Sequence, residues 1–185
     1  MLREHITDYE PYNEQEMRDR QIMLHIIDNC DDYLLRSNET AHFTASAWVV
    51  NHDRSKVLLI HHNIYNAWTW TGGHADGEED LLQTALREVR EETGLANIKP
   101  VNRDIFSIEI ITVDGHIKSG RYVSSHLHLN VTYLIEADED EALHIKADEN
   151  SAIGWFEPEK LDMLSDEKWM KELVYAKLQD KLKGE

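Results

Sequence analysis

The sequence predicts one domain of the α/β or α+β sandwich class, with extra helices at the N-terminal and C-terminal ends. The first observation is the order of the patterns, which reads strand, strand, helix, strands, helix. The second is a strongly amphipathic helix in the middle of the chain. With 185 residues, 41% of them hydrophobic, the chain can bury one core. We expect a helical extension over residues 1–40 and the main domain over residues 41–185.

Residues 12–36 are predicted to be helical because apolar residues recur at spacings of three and four. Pro11 lies near the start, and Asn13 is a candidate N-cap. This helix could pack on the domain, or it could act as a lid or a dimer contact. We favour packing, and a homodimer stays open.

Two strands are predicted next, from Phe43 to Val50 and from Lys56 to His62. The second is apolar through its middle, which is typical of a strand buried on both faces. A third extended segment leads through Trp68 and Thr71 to a Gly-Gly pair.

The segment from Gly73 to Leu95 reads GHADGEEDLLQTALREVREETGL. It predicts a helix with Asp76 as its N-cap, Glu79 completing a capping box, and Gly94 as the C-terminal stop. One face of this helix is apolar, and three carboxylates lie within about a 100° arc at its margin. The apolar residues are Leu81, Leu82, Ala85, Leu86 and Val89, and the acidic ones are Glu88, Glu91 and Glu92.

Three neighbouring carboxylates repel one another unless a cation lies between them. Oxygen ligands at this density suit Mg²⁺ or Mn²⁺. Arg87 can hold a neighbouring carboxylate through two-point contacts. A solvated, glutamate-rich helix face is the alternative interpretation of the same pattern.

After this helix the sequence predicts strands from Ile105 to Val113, Ser124 to Glu136 and Ile153 to Phe156. In the second of these strands, alternate residues from His126 to Thr132 share one face. The acidic loop from Asp138 to Glu141 is interpreted as solvated rather than as a metal site. A short helix opens at Pro158, and Asp166 caps a C-terminal helix that runs to about Lys181.

Gly73, Glu79 and the run from Arg87 to Leu95 have fixed spacings, and they resemble the Nudix box at every defining position. The flanking strands are also similar to Nudix proteins, so the resemblance extends over residues 43–156. It implies a mixed sheet between helices, with the box helix on one face. Thr71 stands where many Nudix sequences have proline. His74 and Asp76 resemble a GGHAD-type bacterial branch with no settled substrate.

Residue by residue, the resemblance makes Glu88, Glu91 and Glu92 metal ligands, and the carbonyl of Gly73 often adds another. It gives Arg87 and Glu79 ion-pairing roles and Gly94 a structural one. The implied reaction is hydrolysis of a nucleoside diphosphate derivative with Mg²⁺ or Mn²⁺, in which water attacks phosphorus and a carboxylate takes the proton. Glu91 is the first candidate base. Glu149 is the second, because it lies in a loop just before a strand.

Residues near the box could contact the substrate. His74 is the best placed to touch a phosphate, while Tyr65, Trp68 and Trp70 could stack on a base or pack in the core. His126 and His128 share a strand face, as paired zinc ligands would. Because no third ligand accompanies them at zinc-like spacing, a phosphate contact or plain packing is favoured.

Composition excludes other classes of function. A net charge of −17 repels a phosphate backbone, so long nucleic acids are disfavoured as partners, whereas a small anionic substrate remains compatible if metal ions neutralise the site. No apolar run approaches the ~20 residues of a membrane span. With Cys30 as the single cysteine and no signal-like N-terminus, a cytoplasmic location is expected.

Two other functions are compatible with a Nudix-like fold. An isopentenyl diphosphate isomerase needs a catalytic cysteine near the site, but Cys30 lies in the predicted N-terminal helix. A non-catalytic nucleotide sensor often lacks box carboxylates, and all of them are present here.

Overall fold

The computed structural model describes residues 2–63, 66–118, 120–163 and 168–184. In this part of the chain, an eight-stranded mixed sheet forms the centre of the fold and a two-stranded hairpin forms a second sheet. The strands are β1 (Ala41–Val50), β2 (Val57–His62), β3 (Ala67–Thr69), β4 (Thr71–His74), β5 (Ile98–Pro100), β6 (Ser107–Val113), β7 (His116–Lys118), β8 (Arg121–Val123), β9 (His126–Ala137) and β10 (Asn150–Phe156).

Helices lie at both ends of the chain and in the middle. They are α1 (Leu2–Asp8), α2 (Glu14–Asn29), α3 (Leu81–Thr93), a 3₁₀ helix (Pro158–Met163), a π-helical segment (Met170–Tyr175) and α4 (Ala176–Leu182), which continues that segment. No helix among the described residues combines the length and the apolar character needed to cross a bilayer.

Strand β1 is the central strand of the large sheet. It runs parallel to β9 in continuous register, from Ala41 beside Leu127 to Val50 beside Glu136. It pairs antiparallel with β4 and β2. Helix α3 lies in the crossover between β1 and β9 and packs against β1 and β4. The chain therefore brings the start of β1, the end of β4 and the start of β9 side by side.

The two faces of β1 belong to two different cores. Phe43 and Ala45 pack with α1, α2 and α3, whereas Trp48 and Val50 pack with the C-terminal helical segments. This division follows from the alternation of side chains along a strand. The predicted sandwich, with a mixed sheet between helices, is confirmed.

The start of the central helix was predicted wrongly. Helix α3 begins at Leu81, and its N-cap residue Asp80 makes no side-chain cap hydrogen bond. Asp76 instead has a positive φ of 49° and pairs with Arg36 at 2.6 Å. Asp76 therefore belongs to the turn between β4 and α3, where its carboxylate binds Arg36, and it does not cap the helix. The predicted stop is confirmed, because Gly94 has φ 74° and its N–H bonds to the carbonyl of Arg90.

The N-terminal region forms two helices, where one helix over residues 12–36 was predicted. Asn13 is the N-cap of α2, and its side chain accepts a hydrogen bond from the N–H of Glu16, as predicted. The helix ends before Cys30, which has extended backbone geometry. Leu2 and Met23 are buried in the main core, so these helices pack on the sheet. The division at residue 40 stays a prediction.

A buried ion pair network joins α2, β6 and α4. The ammonium of Lys177 lies 3.1 Å from a carboxylate oxygen of Glu16 and 3.0 Å from one of Glu109. All three side chains are almost completely buried. Burial disfavours ionisation of Glu16, but Lys177 and Lys181 together with hydrogen bonds from Tyr9 and Tyr12 outweigh it, and the pKa of Glu16 is lowered. The network therefore holds both ends of the chain against the sheet.

We expect Lys177→Met to destabilise the protein by about 3–5 kcal/mol, because it removes the cation beside the buried Glu109 and leaves the buried Glu16 to Lys181, 3.4 Å away. Urea unfolding at pH 7 measures the loss. Lys168→Met is the matched control, since Lys168 is 83% exposed, and we expect it to change stability by less than about 0.5 kcal/mol. A loss below about 1 kcal/mol for Lys177→Met would contradict a structural role for the network.

Candidate active site

The centre of the site is the contact between α3 and the Gly72–Gly73 pair of β4. The N–H of Gly72 donates to Oε2 of Glu92 at 3.0 Å. A Cβ on Gly73 would lie 2.5 Å from the carboxyl carbon of Glu88, and a Cβ on Gly72 would lie 2.5 Å from Oγ of Ser46. A side chain at Gly73 would displace the Glu88 carboxylate, and a side chain at Gly72 would clash with the backbone of β1. The glycines are therefore needed for close approach.

Glu92 is an ionisable group in an environment that disfavours its charge. It is 3% exposed. Its pKa is raised to about 8: burial is the largest cause, the charges of Glu88 and Glu149 add to the rise, and the Gly72 hydrogen bond opposes it. Burial also raises the pKa of Glu88, although Arg87 donates to Oε1 of Glu88 at 3.0 Å and opposes the shift. These carboxylates are crowded together in a site where no neighbouring cation fully compensates them.

Glu91 and Glu149 lie on the more exposed side of the site. Lys146 lies between them, with its ammonium 3.7 Å from Oε2 of Glu91 and 3.1 Å from Oε2 of Glu149. Nε of Arg87 is 3.9 Å from Oε1 of Glu91. Both carboxylates are close to half exposed. Glu91 therefore faces the outer, polar surface of the helix.

A cavity of 550 Å³ opens beside the carboxylates, on the sheet face opposite α3's core. Glu88, Glu92 and Glu149 line one part of it, whereas Glu91 lines only an adjoining polar recess, to which Glu88 and Glu149 also contribute. The remaining wall is mixed in polarity and includes Trp68, His74, Asn130, Met170 and Tyr175. The volume of the cavity is in the range of cavities that hold small organic ligands.

The residues predicted to contact the substrate differ in how far they are exposed to the cavity. His74 and the half-buried Trp68 line the cavity. Trp70 also borders it but is 7% exposed, with its ring packed edge-on against Trp48 and Tyr175. Tyr65 lies outside the described residues. Glu79 forms no ion pair with any residue that the structure describes.

Four histidines meet at the end of the cavity next to the glycine pair. His42 is the central ring, with ring centroids 5.1 Å from His74, 5.0 Å from His126 and 5.1 Å from His128. Sequence spacing placed only His126 and His128 on one strand face. It gave no sign that His42 lies between them and His74, because strand pairing, rather than sequence spacing, brings these rings together.

Arg36 and Lys146 were also missed by the sequence analysis. Arg36 lines the cavity and makes two contacts to Asp76, at 2.7 and 2.6 Å. Neither residue is part of a recognisable motif, although Lys146 is three residues before Glu149 and this spacing was a usable signal.

Comparison with known proteins gives a consistent family match. The model of the NUDIX domain family matches residues 40–177. A Lactococcus lactis protein named "Probable DHNTP pyrophosphohydrolase" is 30% identical over 113 residues, which are 60% of this chain and 64% of that protein. A mouse asymmetrical bis(5'-nucleosyl)-tetraphosphatase is 31% identical over 113 residues, which are 60% of this chain and 67% of that protein. The match thus spans about two thirds of these relatives.

Solved structures share the fold. A NUDIX-family hydrolase from Clostridium perfringens is 22% identical and superimposes with a TM-score of 0.55, covering 77% of this chain and 96% of that one. A Caenorhabditis elegans Ap4A hydrolase is 20% identical, with a TM-score of 0.51 and coverage of 77% and 98%. At these identities the likeness concerns the fold alone.

We expect Glu92→Gln to raise the stability of the protein in EDTA at pH 8. Glu92 has a folded-state pKa above its unfolded value, so the folded state binds more protons than the unfolded state between about pH 4.5 and 8. The wild type therefore loses stability as pH rises through that window, and the glutamine variant does not. Melting temperatures at pH 5 and pH 8 measure the difference.

Glu14→Gln is the control for this experiment, because the Glu14 side chain is 80% exposed. Equal melting temperatures for wild type and Glu92→Gln at pH 8 would show that the buried charge carries no such cost.

Proposed function

Since the chain belongs to the NUDIX domain family, we propose that it is a metal-dependent hydrolase that cleaves the diphosphate linkage of a nucleotide-type substrate. Water attacks phosphorus, and a carboxylate of this chain takes the proton. The observation that supports this most directly is the placement of Glu88 and Glu92 against the glycine pair, at the wall of the cavity.

The donor set fits Mg²⁺ or Mn²⁺. Glu88 and Glu92 are carboxylates whose pKa values are raised, mainly by burial, so a hard cation would relieve an existing electrostatic cost. With the carbonyl of Gly73 and with Glu91 they would hold the ion, while Arg87 holds the Glu88 carboxylate in place. When bound, the metal supplies Lewis acidity toward the phosphate oxygens. The net charge of −17 also favours a site that collects cations before it accepts an anionic substrate.

The base is either Glu91 or Glu149. The sequence favours Glu91, but the lining of the cavity favours Glu149, because Glu149 faces the cavity together with Glu88 and Glu92. Lys146 contacts the Glu149 carboxylate at 3.1 Å and fixes its position. A partly exposed carboxylate at the cavity wall can accept a proton from water and release it to solvent.

The nucleotide part of the substrate would occupy the mixed wall of the cavity. Trp68 offers an aromatic surface there, and Tyr175 and Met170 add apolar area. The relatives named for DHNTP and for bis(5'-nucleosyl) tetraphosphate support a phosphorylated heterocyclic compound as the substrate class. His74, which follows the glycine pair directly, is placed to contact phosphate.

The two alternative functions have less support. An isomerase mechanism needs a cysteine at the site, but Cys30 follows the end of α2 and is not among the residues that line the cavity. A nucleotide sensor would bind substrate without turning it over, and all three box carboxylates argue against that. The location in the cytoplasm, the homodimer and the GGHAD branch stay predictions.

We expect the protein to hydrolyse at least one compound from a panel of dinucleoside polyphosphates, nucleoside triphosphates, pterin triphosphates and nucleotide sugars with Mg²⁺ or Mn²⁺. Glu92→Gln should lower kcat by at least about 10²–10³-fold, because it removes a charge at the centre of the site. Chromatography of the products measures both, with Glu14→Gln as the control.

Inactivity on every compound with either metal would leave the hydrolase proposal without support. Tight nucleotide binding without turnover would instead favour the sensor. A rate loss below about tenfold for Glu92→Gln would mean that the carboxylate is not central to catalysis.

We expect Glu149→Gln to lower kcat by about 10²–10⁴-fold, with little change in the Mn²⁺ concentration needed for half activity. Glu91→Gln should instead raise that Mn²⁺ concentration. Glu157→Gln, at an exposed glutamate outside the cavity lining, is the control. If Glu91→Gln is the variant that lowers kcat without changing the Mn²⁺ concentration needed for half activity, the base is Glu91 and our assignment is reversed.

A further inference from the structure

The four histidines at the end of the cavity are brought together by three adjacent strands. His42 on β1 is the direct parallel neighbour of His128 on β9. On the other side of β1, His74 at the end of β4 is paired with Thr44. The even-numbered residues of β1 and β9 share one sheet face, so these rings converge above the same point. One ligand atom from each of His42, His74 and His128 lies within 4.8 Å of the other two.

Hydrogen bonds to backbone carbonyls fix the orientation of two of these rings. Nδ1 of His42 donates to the carbonyl of Asn38 at 2.8 Å, and Nδ1 of His126 donates to the carbonyl of Ser124 at 2.8 Å. In each neutral ring, Nε2 is then the atom with a free lone pair. Metal-binding histidines are usually held in this way, with one nitrogen donating to a carbonyl and the other facing the ion.

The Nε2 lone pair of His42 accepts no hydrogen bond from the residues that the structure describes. The residue is 3% exposed, and its Nε2 is buried without a hydrogen-bond partner. A buried acceptor without a partner is destabilising, so a histidine used only for packing is poorly explained here. Nε2 of His126 also points inward, but in the neutral ring it accepts a hydrogen bond from Nε2 of His128 at 3.2 Å.

The charge state of the cluster suits a metal ion. Burial lowers the pKa of His42 and of His128, and the neighbouring imidazoles lower both further, so the two rings are neutral near pH 7. Neutral imidazole is the form that binds metals. The nearby Arg36 is paired with Asp76, which limits its repulsion of an incoming cation.

We propose that His42, His74 and His128 bind a divalent transition-metal ion, with Zn²⁺ as the natural occupant and His126 as a supporting residue. Imidazole nitrogen suits Zn²⁺, Co²⁺ and Ni²⁺, whereas Mg²⁺ prefers oxygen. Nitrogens around a tetrahedral Zn²⁺ lie about 3.3 Å apart, given bonds of about 2.0–2.1 Å, so the nitrogen separations need to shorten by up to about 1.5 Å. This site is chemically distinct from the carboxylate site next to it.

Three protein ligands leave one tetrahedral position of the metal open. That position faces the cavity, which His42, His74 and His128 also line. If the proposed hydrolase function holds, the open position is available to an anionic group of the substrate. The binding of the metal itself does not depend on that function, so the two proposals can fail separately.

The test is metal binding by the untagged protein after it has been stripped with a chelator. We expect one Co²⁺ or Zn²⁺ per chain, retained in the presence of millimolar Mg²⁺, with the visible absorption of tetrahedral Co²⁺ on nitrogen ligands. His42→Gln and His128→Gln should each weaken Zn²⁺ binding by about 100-fold or more, as measured by competition with Co²⁺. Circular dichroism and thermal unfolding check that both variants fold.

Two matched variants separate this site from its surroundings. His116→Gln replaces another cavity histidine outside the cluster, and Glu92→Gln disables the carboxylate site, so both should bind Zn²⁺ within about threefold of wild type. In case the histidine variants unfold, ¹⁵N spectra of the wild-type imidazoles give an independent readout. Zn²⁺ should shift the ring nitrogens of His42, His74 and His128.

Absence of stoichiometric Zn²⁺ binding by the wild type would overturn the proposal. So would Zn²⁺ that is lost in Glu92→Gln but retained in the two histidine variants, because the ion would then lie among the carboxylates. Unshifted imidazole nitrogens in zinc-loaded protein would exclude these rings as ligands.

Discussion

The close approach of α3 to the Gly72–Gly73 backbone is the constraint on which the site depends. Glu92 accepts the N–H of Gly72, and the Glu88 carboxylate occupies the space that a side chain at Gly73 would fill. The apolar face of α3 anchors the helix in the core, so the carboxylates cannot move away from the loop to reach water. Their charge is thereby concentrated at one edge of a cavity, which is the condition that makes a bound cation favourable.

Much of this arrangement could be predicted because its signals are local. The apolar face of α3, its stop at Gly94 and the alternation along β9 depend on neighbouring residues, and the structure has all three. The start of α3 was missed because Asp76 is controlled by Arg36, 40 residues earlier. A pattern read along the chain contains no information about that partner.

The histidine cluster shows the same limit more clearly. The sequence showed that His126 and His128 share one strand face. We expected these two histidines to pack or to contact phosphate, because no third ligand accompanies them at zinc-like spacing. The third and fourth rings come from strands that pair with β9 directly or through β1. Sequence reasoning predicts that a strand exists and which face is polar, but the parallel register of β1 with β9 is a tertiary property.

The buried network at Lys177 has a consequence for the biosynthesis of the protein. Its ammonium donates to the side-chain oxygen of Gln15, a residue 162 positions earlier, and it neutralises Glu16 in the same helix. During translation, α2 leaves the ribosome long before its cation has been synthesised. Until then the nearest cation of Glu16 is missing, so we expect the N-terminal helices to dock stably only after α4 has been made, although they are made first. The nascent chain would until then expose the sheet face that these helices later cover.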